Sequence, residues 1–302
     1  MPNQPTRRAF LKSAGAGLAG LSATSLPRHA TGEAVRTVDD VDERDGIELA
    51  IATICTDGFG DENFEPAFRL IPQIGIKNVE FNVWYPRTVT MEGILSIQER
   101  CYDSGLRPIS LQGSSFGGNV LKDVTHKLWL MEQAKLLGCR RVKFTGAGRG
   151  TAGGLDTVID VLQHIAPAAE DLDVLICVEN HRNNNIENME DYDRIFDAVD
   201  SSHVGMCLDT GHFAGAGIRN LDIVERFHEK INHVDLKDTI AFGTYETVPF
   251  GTGSIDLDAV ASRLVERGYS GYFVIEQAPP LDAETLVADL SRARELFERF
   301  ER

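Results

Sequence analysis

Residues 174–181 read Val-Leu-Ile-Cys-Val-Glu-Asn-His, and residues 204–212 read Val-Gly-Met-Cys-Leu-Asp-Thr-Gly-His. Each stretch is a short apolar run that ends in an acidic residue, Glu179 in the first and Asp209 in the second. Short apolar runs bounded by polar residues are typical of strands that are buried on both faces of a parallel sheet. The two stretches therefore predict neighbouring strands of such a sheet, each with a carboxylate at its C-terminal end.

The same pattern recurs along the chain from residue 47 onward. With the two stretches above, eight apolar runs alternate with longer amphipathic segments, and they cover residues 47–53, 78–83, 107–111, 141–144, 174–179, 204–209, 231–236 and 272–276. Eight strand–helix units in about 255 residues match the size of one (β/α)₈ barrel. An open doubly wound sheet fits less well, because no Gly-x-Gly-x-x-Gly follows the first run. The sequence predicts an α/β protein with a single TIM barrel over residues 47–302.

The first 30 residues differ in composition from the rest of the chain. They contain four basic residues and no acidic one, and a Gly/Ala-rich run follows the paired arginines Arg7 and Arg8. That run is too short to span a bilayer, so we expect no stable membrane insertion. The segment Thr-Arg-Arg-Ala-Phe-Leu-Lys (6–12) resembles a twin-arginine export signal. We therefore expect a signal peptide at 1–30 that engages the twin-arginine export machinery, an acidic linker at 31–46, and a periplasmic or otherwise extracytoplasmic mature protein.

The chain is strongly acidic. Its 302 residues include 30 basic and 46 acidic ones, which give a formal charge of −16, and the charge falls to −20 without residues 1–30. Such a surface repels phosphate backbones, so nucleic acids are poor partners. Anionic membrane surfaces are poor partners for the same reason. The outer helices of the barrel are candidates to pair copies of the chain in a homo-oligomer.

Four consecutive predicted strands carry an acidic residue at the same relative height, namely Glu179, Asp209, Asp235 and Glu276. In a TIM barrel the C-terminal ends of the strands form the active site, so these side chains should converge. Converging carboxylates repel one another unless a cation lies between them. Oxygen ligands favour Mn²⁺ or Mg²⁺, with Co²⁺ or Zn²⁺ as alternatives if His212 joins. The competing interpretation is that each acid only caps the helix that follows its strand.

Five motifs together resemble the xylose isomerase-like TIM-barrel superfamily, which includes sugar and sugar-phosphate isomerases and epimerases, inosose dehydratases and endonuclease IV. The motifs are Val-Glu-Asn-His (178–181), Leu-Asp-Thr-Gly-His (208–212), His-Val-Asp-Leu-Lys-Asp (233–238), Phe-Gly-Thr-Gly-Ser-Ile-Asp (250–256) and Gly-Tyr-Ser-Gly-Tyr-Phe-Val-Ile-Glu (268–276). The resemblance implies one divalent cation held by Glu179, Asp209, Asp235 and Glu276. Asp235 departs from the pattern, because the family usually has His at that position.

The resemblance also implies that His212 and Glu80 contact the substrate. His181, which follows Glu179, is a further candidate. Lys237 has the same strand parity as Asp235 and is a candidate either to contact the substrate or to pair with a carboxylate. Lys143 lies within the fourth predicted strand, where it could neutralise an enolate or pair with a carboxylate. His233 is interpreted as a packed core histidine. Trp84 and Phe116 fall on predicted loops above the barrel and are candidates to stack on a sugar face.

The activity that the resemblance implies is proton transfer next to a carbonyl. One of the two carboxylates Glu179 and Glu276 would remove a carbon-bound proton, and the other would return it. We expect a metal-dependent isomerase or epimerase that works through an enediolate. The export signal favours a free sugar, a cyclitol or a keto-sugar derivative over a sugar phosphate. If the enediolate expelled a hydroxyl, the same chemistry would give a dehydratase or lyase.

Three other functions fit parts of the pattern. A non-catalytic or degenerate sugar-binding barrel is expected if Asp235 breaks the metal site. A glycosidase could use Glu179 and Glu276 as paired acids without a metal. An endonuclease IV-like enzyme would need more histidines than the 8 of this chain, and a basic surface in place of an acidic one.

Overall fold

Parallel strands close into a barrel in the computed structural model, which describes residues 46–57, 62–277 and 282–301. Each strand pairs with the next one along the chain, and the last pairs with the first. The eight strands are β1 (Ile47–Ala52), β2 (Asn78–Asn82), β3 (Arg107–Gln112), β4 (Arg141–Thr145), β5 (Leu175–Glu179), β6 (Val204–Asp209), β7 (Ile231–Leu236) and β8 (Gly271–Ile275). The predicted single TIM barrel is confirmed. The predicted signal peptide, and the predicted linker except Gly46, lie outside the described residues.

Helices follow the strands and pack around them. They are α1 (Ile54–Asp57), α2 (Glu65–Ile74), α3 (Met91–Ser104), α4 (Val120–Leu137), α5 (Gly154–Leu172), α6 (Met189–Ala198), α7 (Thr210–Gly215), α8 (Asn220–Phe227), α9 (Leu257–Glu266) and α10 (Ala283–Phe297), with short 3₁₀ turns at His228–Lys230 and Glu298–Phe300. None of the helices in the described ranges combines the length and apolar character that a membrane crossing needs.

The helix ends follow from local sequence. The Asn119 side chain accepts a hydrogen bond from the Lys122 amide at the start of α4, and Gly138 ends that helix with φ at 78°, a left-handed conformation that suits glycine. Asn188 and Asp191 form a reciprocal capping box at the start of α6. These caps orient the helices that hold the strands in place.

The short helix α7 was not predicted. It begins directly after β6, where Asp209 caps it by accepting a hydrogen bond from the His212 amide at 2.8 Å. Its six residues include two glycines and lack the apolar periodicity that identifies longer helices. The helix places His212 beside the C-terminal end of the barrel.

Candidate active site

A cavity of about 600 Å³ opens at the C-terminal ends of the strands. Residues from several strands and from the loops above them line it, among them Trp84, Gln112, Thr145, Glu179, His181, Asn184, His212, Lys237, Tyr245, Glu276 and Gln277. A cavity of this size is within the range of small-molecule sites. Of the residues predicted to contact substrate, His181, His212 and Lys237 line this cavity.

The four acids at the C-terminal ends of β5 to β8 converge at the floor of the cavity, which Glu179 and Glu276 line. One carboxylate oxygen from each of Glu179, Asp209, Asp235 and Glu276 lies within 4.8 Å of the others, a spacing at which one metal ion could reach all four if no other positive charge lay between them. Each of these residues is at least 97% buried. The predicted convergence is therefore present in the fold, whereas the role of each residue stays a prediction.

Lys143 extends from β4 into the middle of this group. Its Nζ lies 2.5 Å from Asp235 Oδ2, 2.8 Å from Glu276 Oε2 and 3.9 Å from Glu179 Oε1. It also lies 2.7 Å from Glu80 Oε1. The Lys143 side chain is fully buried. A mid-strand lysine thus supplies a positive charge at the barrel axis.

Lys237 supplies a second positive charge, closer to the cavity. Its Nζ lies 2.5 Å from Asp209 Oδ2, 2.8 Å from Glu276 Oε1 and 3.4 Å from His212 Nε2. Gly211 leaves room for the lysine stem, since a Cβ atom at that position would lie 2.8 Å from Lys237 Cβ. Lys237 therefore connects the buried acids to the cavity wall.

A lower layer supports Lys143. Glu80 accepts a hydrogen bond from Ser110 Oγ at 2.7 Å, and its Oε2 lies 2.9 Å from His233 Nε2. Glu80 was predicted to contact substrate, but it is fully buried beneath the cavity, where it pairs with Lys143 instead. His233 is buried as predicted, although its neighbours are Glu80 and Asp235 rather than apolar side chains.

Burial and the lysines give the two cavity-lining carboxyl groups pKa values that are shifted in opposite directions. Burial raises the pKa of Glu179 well above its usual range, because only Lys143, at 3.9 Å, offsets the desolvation at close range. Burial would raise the pKa of Glu276 too, but the ammonium groups of Lys143 and Lys237 hold it well below the usual range. Glu179 is thus the more basic of the two carboxyl groups, whereas Glu276 is held as a carboxylate.

Histidine rings form one side of the cavity. The rings of His181 and His212 lie 4.2 Å apart, and Tyr245 lies 6.3 Å from His212. Burial lowers the pKa of His212 to about 3, so its imidazole is neutral beside Lys237. The guanidinium of Arg182 covers the Tyr245 ring at 4.9 Å.

The two aromatic candidates differ in position. Trp84 lines the cavity as predicted. Phe116 does not, because it is 1% exposed and packs against Phe144 in the core. Sequence reasoning missed Gln112, Asn184 and Tyr245. A polar residue at the end of β3 could have identified Gln112, whose Nε2 donates to Glu179 at 3.4 Å.

The contacts of the four carboxylates show whether these residues could bind a divalent cation. Such an ion needs oxygen ligands with free lone pairs and no competing positive charge beside them. Oxygens of Asp209, Asp235 and Glu276 already lie 2.5–2.8 Å from a lysine nitrogen. An ion that used all four carboxylates would have to displace an ammonium group. As the residues are arranged, they do not fit a divalent cation.

Comparisons with known proteins agree with this architecture. Residues 68–296 match the family model described as "Xylose isomerase-like TIM barrel". Inosose dehydratase from Clostridium botulinum is 24% identical over 254 residues, which cover 72% of this chain and 83% of that protein.

Solved structures with the same fold include the IOLI protein with a bound zinc atom, at 22% identity and a TM-score of 0.70, covering 84% of this chain and 99% of that one. They also include D-allulose 3-epimerase from Methylomonas sp. in complex with D-allulose, at 14% identity and a TM-score of 0.70, covering 85% and 98%. The family match extends over most of the barrel, from α2 to α10. The chain therefore belongs to the xylose isomerase-like TIM barrel family.

Proposed function

We propose that this protein is an enzyme that transfers a proton next to the carbonyl of a free sugar, cyclitol or keto-sugar derivative, through an enediolate. The observation that carries the proposal is the pairing, in one cavity, of a carboxyl group and an ammonium group. Glu179 is a carboxyl without a close ion-pair partner, and Lys237 lines the same cavity. A base beside an electrophile is what enolisation requires.

Glu179 is the proton-transfer group in this proposal. Its carboxylate takes the proton from the carbon next to the carbonyl, and the C–H electron pair moves into the new C=C bond. The carbonyl oxygen becomes an oxyanion, which the ammonium of Lys237 stabilises. The protonated Glu179 then returns the proton to carbon. General acid–base catalysis of this kind contributes about 10²–10⁴-fold to the rate.

Glu276 is less suited to the second proton transfer that the sequence analysis expected of it. Its two oxygens each contact a lysine nitrogen at 2.8 Å, so protonation would break an ion pair. With one mobile carboxyl, return of the proton to the neighbouring carbon on the same face, together with transfer of the hydroxyl proton to the former carbonyl oxygen, gives aldose–ketose isomerisation. Epimerisation needs a donor on the opposite face, so the geometry favours isomerisation over epimerisation.

Dehydration is the second candidate. The curated relatives include inosose dehydratases, which favours loss of a hydroxyl from the same enediolate. His181 lines the cavity and could protonate the departing hydroxyl, which leaves as water. The products separate the two candidates, because dehydration shifts the ultraviolet absorption of the product and isomerisation does not.

Two finer expectations from the sequence belong to this proposal. One divalent cation, with Mn²⁺ or Mg²⁺ favoured, was expected, and a structural neighbour holds zinc. No step above uses that cation, because lysine nitrogens already contact the ligand oxygens. The export signal at 1–30 is the reason for proposing substrates without a phosphate group.

The test is uptake of solvent deuterium into a panel of ketoses, keto-sugars and inososes, followed by NMR. We expect Glu179→Gln to lower exchange by about 10²-fold or more, since the amide cannot accept the proton. Glu187→Gln, in the loop after the same strand, is the matched control, because Glu187 pairs with Arg149 at the surface. Normal exchange in Glu179→Gln would contradict the proposal. Sugar binding without exchange in the wild type would favour the non-catalytic barrel.

A further inference from the structure

Five buried carboxylates at the barrel axis need a compensating positive charge. Glu80, Glu179, Asp209, Asp235 and Glu276 are each 3% exposed or less. Moving several like charges out of water is costly unless each is paired. The cluster must therefore be built around a cation.

Lys143 occupies the centre of the cluster through the geometry of the closed barrel. In β4 it is paired between Gln112 of β3 and Cys177 of β5. From there its side chain crosses the barrel to Asp235 on β7 and Glu276 after β8. The nitrogen lies within 4 Å of four of the five carboxylates, those of Glu80, Glu179, Asp235 and Glu276.

Asp235 and Lys143 are matched in charge. Asp235 adds a negative charge at the position where the family resemblance implies a histidine, and its Oδ2 lies 2.5 Å from Lys143 Nζ. A neutral imidazole at that position could not balance the ammonium group. The departure from the family pattern on β7 therefore has a partner on β4, and the two residues form an internal ion pair.

Lys237 completes the arrangement on the cavity side. It contacts Asp209 and Glu276 from above, while Lys143 contacts Glu276 and Asp235 from below. Its side chain is 9% exposed and lines the cavity, whereas Lys143 is fully enclosed. Lys143 thus places a positive charge among the buried acids, and Lys237 can present its charge to a ligand.

We propose that Lys143 and Lys237 together replace the divalent cation of this centre, so that the protein needs no bound metal. Lys143 supplies the positive charge among the buried carboxylates, and Lys237 supplies the positive charge that faces the substrate oxygen. The part assigned to Lys237 rests on the proposed function. The part assigned to Lys143 rests only on the ion pairs of the cluster.

The first experiment measures metal in the purified full chain by elemental analysis and follows its thermal unfolding with EDTA, Mn²⁺, Mg²⁺ or Zn²⁺. We expect far less than one metal ion per chain and the same unfolding temperature in every condition. A stoichiometric ion whose removal by EDTA lowers the unfolding temperature would overturn the proposal.

Variants provide the converse test. Lys143→Met removes the internal cation, so this variant should take up one divalent ion per chain and unfold at a higher temperature when Mn²⁺ is added. Lys237→Met provides the same test nearer the surface if Lys143→Met fails to fold. Lys237→Arg keeps the charge and is the control that should stay free of metal. If neither methionine variant gains a divalent ion, the replacement is wrong.

Deuterium exchange measured in EDTA separates this inference from the proposed function. Exchange that continues in EDTA supports both. Exchange that stops in EDTA and returns with Mn²⁺ overturns the replacement and leaves the function standing. If no sugar exchanges in any condition, the proposed function fails, and the metal measurements still decide whether the lysines replace the ion.

Discussion

Lys127 is a buried lysine outside the acid cluster, and its environment predicts how the unfolding free energy depends on pH. Its Nζ lies 3.3 Å from the Ser114 carbonyl oxygen and 3.8 Å from Asp123 Oδ1. The side chain has no exposed area and packs over the rings of Phe116 and Phe144. Burial lowers its pKa to about 8, more than Asp123 raises it. A charged lysine here therefore costs stability.

The sign of the pH dependence follows from proton binding. Between about pH 8 and pH 10.5 the unfolded chain holds more protons at this lysine than the native state, so stability should rise with pH in that window. Lys127→Met lacks this titration. The unfolding free energy of the wild type, relative to Lys127→Met, should therefore increase by about 3 kcal/mol from pH 7 to pH 11. Urea denaturation at a series of pH values measures this difference.

Lys122→Met, an exposed position of the same helix, is the control and should show a difference that does not change with pH. A difference between the wild type and Lys127→Met that was equally flat would show that Lys127 is hydrated in the native state.

The positions of some site residues could be predicted from the sequence, whereas the contacts of others could not. The four acids at the strand ends could be predicted, because height in a parallel barrel follows from position in the strand. For Asp209 the structure shows the helix cap, since Oδ1 caps α7, while Oδ2 contacts Lys237 and its role as a metal ligand stays a prediction. The partners of Lys143 could not be predicted. Apart from Glu179 on the adjacent β5, they lie on β2, on β7 and directly after β8, and only closure of the barrel brings those strands across from β4.

At the scale of elements, the segment between β7 and α9 depends on one buried carboxylate. Asp238 accepts hydrogen bonds from the amides of Thr239, Gly251, Gly253 and Ile255, at 2.9–3.3 Å. A Cβ atom at Gly253 would lie 2.1 Å from Asp238 Oδ1, so the backbone approaches closely only because that residue is glycine. This carboxylate holds the loop that carries Tyr245 against the barrel.

We expect Asp238→Asn to lower the unfolding free energy by about 2–4 kcal/mol, because an NH₂ group would face backbone donors that now share a charged acceptor. Amide hydrogen exchange at Gly251 and Gly253 should speed up before exchange elsewhere in the barrel. The matched control is Asp256→Asn, because Asp256 caps α9 and asparagine caps a helix equally well. Unchanged exchange at both glycines would show that other contacts hold the loop.

The elements themselves were largely predictable. All eight strands lie within about two residues of the apolar runs, because strands buried on both faces must be continuously apolar. The exceptions are short or irregular. The helix α7 depends on a side-chain cap, and the loop after β7 depends on Asp238, so neither has a periodic pattern to detect.

At the scale of the whole molecule, the substrates that can reach the cavity depend on the cellular compartment of the protein. The strands place the cavity at one end of the barrel, and its floor combines carboxylates with lysines. The barrel is confirmed, whereas the export signal at 1–30 lies outside the described residues and stays a prediction. The proposed substrate class depends on that signal, because sugar phosphates are mainly cytoplasmic metabolites.

Export can be tested through the paired arginines. We expect the full chain to be found in the periplasmic fraction of its host and the variant with Arg7→Lys and Arg8→Lys to stay in the cytoplasm, because the paired arginines carry the resemblance to a twin-arginine signal. Arg28→Lys makes the same chemical change within the first 30 residues but outside the motif, so this control should still be exported. Cell fractionation followed by immunoblotting measures the outcome. If the wild type is retained in the cytoplasm, the export prediction is wrong, and sugar phosphates should then be added to the substrate panel.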